Sequence, residues 1–189
     1  MRVASLHIHP VKGMRAIDLP AAHIGARGLD GDRRWLATDG EGVFLTQRTC
    51  QPLATITAEA VEGGLRLSAG GSSIAVAPPS GPRRMVTVWS DAVEAADAGD
   101  EAAAWLSGAL GRSARLFYMD DAAERTTSGR WGPKRPVSFA DAYPILVTTT
   151  GSLNALNEAI AANGGQAAMQ WKSSRRGPKA GRWRKAGQW

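Results

Sequence analysis

Short alternating runs punctuated by glycine fill the first half of the chain and leave few folds open. Residues 3–8 alternate apolar and polar and are closed by Pro10; residues 16–24 give a second run, with Pro20 tolerable only at a sheet edge. Residues 34–38 and 43–46 flank Asp39-Gly40-Glu41-Gly42, a turn suited to a hairpin. Residues 53–58, 65–68 and 73–76 continue the pattern, with Gly63-Gly64 and Gly70-Gly71 between them, and 86–89 follow a Pro/Gly loop. Many short strands at this spacing predict a barrel or a sandwich.

The second half reads differently. Asp100 is placed to cap a helix over 100–110 with Ala103, Trp105, Leu106, Ala109 and Leu110 on its apolar face and Gly111 as its stop. Residues 114–118 read as a strand. Residues 119–137 form a long polar segment carrying Arg125, Arg130, Lys134 and Arg135. Residues 145–148 have the apolar character of a buried strand, and 152–162 form a helix with Leu153, Leu156 and Ile160 on one face, stopped by Asn163-Gly164-Gly165. From Trp171 onward there is no Val, Ile, Leu, Met or Phe, so the tail is expected to be disordered alone.

Charge follows the same division. The net charge is +6, but residues 171–189 hold seven Lys and Arg and no acid, so residues 1–170 sum to −1. The high pI belongs to the tail and does not make the folded body a nucleic-acid binder. A single cysteine excludes an internal disulfide and fits a reducing compartment. No apolar run suits a signal peptide or a membrane helix, which predicts a cytoplasmic protein without membrane attachment.

Three basic segments stand beside turns in the first 48 residues: His9-Pro10-Val11-Lys12-Gly13, Gly28-Leu29-Asp30-Gly31-Asp32-Arg33-Arg34-Trp35 and Phe44-Leu45-Thr46-Gln47-Arg48. Cations delivered by separate strands to one rim make a pocket for an anion; three hairpins with solvated charges are the alternative. Arg33 and Arg34 cannot both point inward from a strand, so Arg33 is assigned to the pocket and Arg34 to solvent. Arg48 has the alternative of pairing with the acids near Asp39 and Glu41. His7 and His9 lack a third ligand nearby, which argues against a metal site.

These segments, with Ser138-Phe139-Ala140-Asp141-Ala142-Tyr143-Pro144-Ile145-Leu146-Val147 and the helix around Leu153 and Leu156, resemble the MOSC family of molybdenum-cofactor proteins, over roughly residues 1–165. The resemblance implies a mainly β fold with α: a MOSC N-terminal β-barrel-like domain over 1–118, then a linker and the start of an incomplete mixed α/β MOSC core over 119–165. Residues 166–189 are left as the basic tail. It implies that molybdopterin is held at Lys12, Gly13, Arg33 and Arg48, and at the strand-to-helix corner of Thr148, Thr149 and Ser152. Gly13 stands where many relatives have Ser. Thr149 or Ser152 has the alternative role of helix cap.

The family's activity is reduction of N-hydroxylated compounds at a molybdenum centre, fed by a flavin or iron–sulfur reductase, or else sulfur transfer. Its metal-ligating cysteine lies in a Pro-Cys-x-x-Cys-type segment well downstream of the last helix, so that role does not pass to Cys50, and no catalytic residue is assigned. The tail departs from the family after Gly165. Its Arg/Gly/Trp/Pro/Lys composition is what GC-rich coding sequence yields when read out of frame, so a truncated or frameshifted member with impaired activity is expected. The other class is a non-catalytic remnant or binding module, whose Trp-containing basic tail would contact nucleic acid or anionic surfaces.

Overall fold

The computed structural model describes residues 2–165. The expectations for 166–189 lie outside the described residues. Two units are distinguished among these residues by their internal contacts: residues 7–145, and residues 2–6 with 146–165.

The first unit is built on antiparallel ladders. A two-stranded ribbon joins β1 (Leu6–Ile8) and β2 (Ile17–Leu19), and another joins β3 (Ile24–Gly25) and β4 (Gly28–Leu29). β5 (Trp35–Thr38) is an outer strand of a four-stranded sheet completed by β9 (Arg83–Val88), β10 (Asp91–Asp97) and β11 (Arg115–Tyr118), in the order β5-β11-β10-β9. β6 (Thr57–Val61), β7 (Gly64–Ala69) and β8 (Ser72–Val76) form a separate meander.

The four-stranded sheet is not closed by a continuous ladder, but residues 42–45 span its two outer strands. Leu45 N–H donates to Ala37 O at 2.8 Å and Asp39 N–H to Val43 O at 2.9 Å on the β5 side; Phe44 N–H donates to Thr87 O at 3.0 Å on the β9 side. The predicted strand at 43–46 is thus a pair of isolated bridges, Thr38 with Phe44 and Val43 with Thr87. Inside this wall lie Leu36, Val86, Val88, Val93, Ala95, Phe117, Met119 and Phe139, with Phe44 packed against them. Trp35, Ala37 and Leu116 point to the other face, into a second core with Leu53, Leu65, Leu67 and the helix residues Ala102, Leu106 and Leu110. β5 and β11 are therefore shared by both cores, as period-two alternation allows.

Several local expectations are corrected. Residues 51–55 form a 3-10 turn (Gln51–Thr55), not the start of a strand, because Pro52 has no N–H to give a ladder. The helix α1 (Asp100–Leu110) is capped by Gly99, not Asp100; Asp97 accepts the Gly99 N–H at 2.9 Å, and Asp100 lies in the first turn. Gly111, at φ +66°, ends it as expected. Residues 145–148 are not a strand. Leu146 and Val147 are 79% and 78% exposed, and no backbone ladder takes them up among the described residues. In the second unit, α2 (Thr150–Ala162) matches the predicted helix and has no buried residue.

Gly28 is required by its backbone. It adopts φ +100°, and a Cβ there would stand 2.7 Å from Pro144 O. Gly28→Ala is expected to lower stability by about 3 kcal/mol, from backbone strain plus the clash, read as a shift in the urea midpoint at constant slope.

Ion pairs centred on buried Asp97 and on partly buried Asp120 link neighbouring strands of the sheet. Asp97 accepts from Arg115 Nε at 3.0 Å and lies 3.1 Å from Arg84 Nε. Arg83 pairs with Asp120. Burial acts to raise the Asp97 carboxyl, but the Arg115 hydrogen bond, the Gly99 N–H and the two guanidinium charges outweigh it and hold it below the ordinary 3.8. The Arg83 hydrogen bond does the same for Asp120, against burial. Groups with depressed folded values stabilise fully above the unfolded value and lose that contribution as pH falls through the folded one. Denaturant midpoints are expected to be flat above about pH 5 and to drop below pH 4.

Candidate anion site around Lys12

The segment from Pro10 to Lys12 runs along β5 on the side away from β11. Trp35 N–H donates to Pro10 O and Lys12 N–H to Trp35 O, both at 3.0 Å. This fixes Lys12 before the turn at Gly13, where φ is +81°. The Lys12 side chain is 9% exposed, and its Nζ donates to Asp141 Oδ1 at 2.5 Å. The ammonium also lies 5.6 Å from the Phe44 ring centre and 5.9 Å from that of Trp89. Those two rings meet edge to face at 4.8 Å, and Trp89 Nε1–H donates to the same Asp141 oxygen at 3.0 Å.

The pair is lopsided: the lysine is buried while the Asp141 side chain is 74% exposed. Burial pushes the Lys12 ammonium below the usual lysine range; the Asp141 hydrogen bond and charge restore only part of this, and Arg125 and Arg33 add to the lowering. Partial desolvation acts to raise the Asp141 carboxyl, but the Lys12 hydrogen bond and charge, the Trp89 indole and Arg33 hold it below the ordinary range. Both shifts describe one arrangement: a cation short of solvation, served by a single wet counter-ion.

The walls of the site are pinned. Arg125 is buried and donates through Nε to Asp91 at 2.9 Å and through Nη1 to Ser138 O at 2.7 Å and Ala140 O at 2.5 Å. Ser138 Oγ–H donates to Asp32 O at 2.9 Å, and Phe139 N–H to Arg33 O at 3.0 Å. Buried Asp32 accepts His9 N–H at 2.8 Å and pairs with the Arg33 guanidinium. Arg33 and Trp89 are the two non-glycine residues with positive φ among the described residues, at +49° and +56°. Conformations of this kind cost about 1–3 kcal/mol each and gather where function demands a fixed geometry.

A profile of the MOSC N-terminal beta barrel domain matches residues 1–113. The chain belongs to this family. Curated relatives of this MOSC chain include a molybdenum cofactor sulfurase of Drosophila grimshawi, 29% identical over 165 residues, covering 82% of this chain and 21% of the relative. The mitochondrial amidoxime-reducing component 1 of Mus musculus is 30% identical over 171 residues, covering 84% of this chain and 50% of the relative. The MOSC chain thus spans half or less of the length of these relatives. A Bordetella bronchiseptica protein solved in solution aligns with TM-score 0.42 and 25% identity, over 53% of this chain and 85% of that one.

Of the residues singled out by sequence, Lys12 binds Asp141 directly, while the Arg33 guanidinium pairs with Asp32 and acts on Lys12 and Asp141 through its charge. Gly13 supports the turn at φ +81°, where an L side chain is strained, and a Cβ there would stand 2.6 Å from Leu53 Cδ2. Gln47 Nε2–H donates to Gly13 O at 2.7 Å, whereas Arg48 lies exposed and lines a separate concavity with Thr49, Gln51 and Arg112. Asp39 accepts Glu41 and Val43 N–H groups, and no ion pair joins it to Arg48 among the described residues. Arg34 is not the solvated partner expected of it: it donates to Met119 O at 2.7 Å and lies over the Tyr118 ring at 5.3 Å. The strand alternation invoked for the two arginines fails because Arg33 precedes β5 in a left-handed turn.

In the second unit, Thr149 is the N-cap of α2 and accepts Ser152 N–H at 3.0 Å, while its hydroxyl and that of Ser152 lie 2.9 Å apart. Thr148 is exposed beside them. Cys50 is 4% exposed within the core. The described residues hold no group of three His, Cys, Asp or Glu arranged for a metal. Asp141, Trp89 and Arg125 were not assigned from sequence; the signal available was Asp141 itself, inside Ser-Phe-Ala-Asp-Ala-Tyr.

Proposed function

We propose that this MOSC chain is a molybdenum-cofactor-holding module in which Lys12, with Arg33 beside it, receives the anionic end of molybdopterin. The observation that carries this is the buried Lys12 ammonium with only the exposed Asp141 carboxylate as direct counter-ion among the described residues. A buried charge so thinly served favours a strong incoming acceptor, because charge-assisted hydrogen bonds gain most where water is excluded. The name of one relative, molybdenum cofactor sulfurase, points to that cofactor. In the second unit, Thr148, Thr149 and Ser152 lie at the N-terminus of α2, where free N–H groups favour an anion.

The fit to the cofactor is one-sided. The cations suit a phosphate, but the sole thiol, Cys50, is sealed in an apolar core and offers the metal no ligand. No reaction step is therefore drawn through the metal. Reduction of N-hydroxylated compounds, with electrons from a flavin or iron–sulfur reductase, is the activity of the wider family; the 189 residues themselves are assigned holding rather than turnover.

Protein purified from a host that makes the cofactor tests this. Bound pterin with no turnover of benzamidoxime in the presence of a reductase is expected. Stoichiometric molybdenum with turnover would contradict the holding role, and absence of pterin would contradict the assignment of the cofactor.

A further inference from the structure

Among the described residues, the two non-glycine residues with positive φ both serve the Asp141 segment: Trp89 binds the Asp141 carboxylate, and the Arg33 carbonyl holds Phe139 N–H two residues before it. Trp89 takes the first place of the two-residue connection between β9 and β10, where glycine is the usual occupant. What holds it there is visible: its ring lies against Phe44, and its indole N–H binds Asp141. The backbone leading to Asp141 is fixed by Arg125 at Ser138 O and Ala140 O and by Arg33 O at Phe139 N–H. The Asp141 side chain itself is open to solvent. It can leave Lys12 by side-chain rotation alone, with no movement of the pinned segment.

Resting on the reading of Lys12 as the cofactor's anchoring cation, we propose that Asp141 is a built-in stopper. Its carboxylate occupies the place on Lys12 that a phosphate monoester takes, and Trp89 holds it there until the ester displaces it. Lys12, Arg33 and Arg125 supply the positive field at this point and Asp141 the negative charge. A dianionic phosphate outbids a single carboxylate in that field, whereas a monoanion gains nothing by the exchange. The stopper thus selects dianionic phosphate over simple carboxylates.

Calorimetric titration of the full chain at pH 7.5 with inorganic phosphate, and with acetate as the monoanion, tests this. Asp141→Asn is expected to bind phosphate about two- to fivefold tighter than wild type, the range expected on removing an exposed competing ion pair, and to gain acetate binding that wild type lacks. Trp89→Phe, which keeps a ring but removes the indole donor, is expected to fall between them. The unfolding midpoint of Asp141→Asn should be unchanged or lower, so affinity and stability do not rise together. A purely structural ion pair predicts no gain in affinity. If Asp141→Asn binds phosphate no better than wild type while Lys12→Met abolishes binding, the stopper is refuted and the anchoring cation stands. If Lys12→Met binds phosphate as wild type does, both are refuted. Pterin content of Asp141→Asn from a cofactor-making host separates the ester from free phosphate; more pterin than in wild type is the expected result, and less overturns the proposal.

Discussion

Arg125→Met is expected to lower stability by about 3–5 kcal/mol, the largest loss from any single change in the site. The guanidinium is 5% exposed, pairs with Asp91 and satisfies Ser138 O and Ala140 O. Methionine matches much of the volume but gives none of these hydrogen bonds. Two buried carbonyls are then left without their donor, each at roughly 1–3 kcal/mol, while half-exposed Asp91 regains water. The same change unpins Ser138 to Asp141, so anion binding should be lost alongside. Urea unfolding of the variant gives the first number, and phosphate titration at a temperature where it remains folded gives the second. A variant as stable as wild type would mean that the 138–141 segment holds itself in place.

The meander at β6, β7 and β8 was legible because alternation and paired glycines state both the strands and their turns. β10 was not. Its sequence, Asp-Ala-Val-Glu-Ala-Ala-Asp, is weak in strand-favouring residues, and it forms because β9 and β11 pair with it on both sides. The run at 145–148 shows the reverse: its residues favour a strand, but strand formation needs a partner, which local sequence does not supply. At the site, Lys12 and Arg33 could be read from basic residues beside turns. Asp141 could not, since its role comes from a contact across 129 positions of chain. Arg34 was misjudged because alternation applies within a strand and the turn at Arg33 lies just before one.

Lys12→Met should separate binding from folding. Methionine places an apolar stem of similar length over Phe44 and Trp89, and the Asp141 carboxylate it abandons is already largely in water. Replacing a buried charge by an apolar isostere is often neutral or favourable, so the unfolding midpoint should move by less than about 1 kcal/mol. Anion binding, in contrast, loses its buried cation, and a charge-assisted hydrogen bond of about 1.5–3 kcal/mol implies a fall of roughly tenfold or more.

The most direct measurement is the pterin-to-protein ratio of wild type and Lys12→Met, purified side by side from a host that makes the molybdenum cofactor. Wild type carrying pterin, with the variant equally stable and holding at least about tenfold less, is the result predicted. Equal pterin in the two proteins would contradict Lys12 as the residue that holds the cofactor.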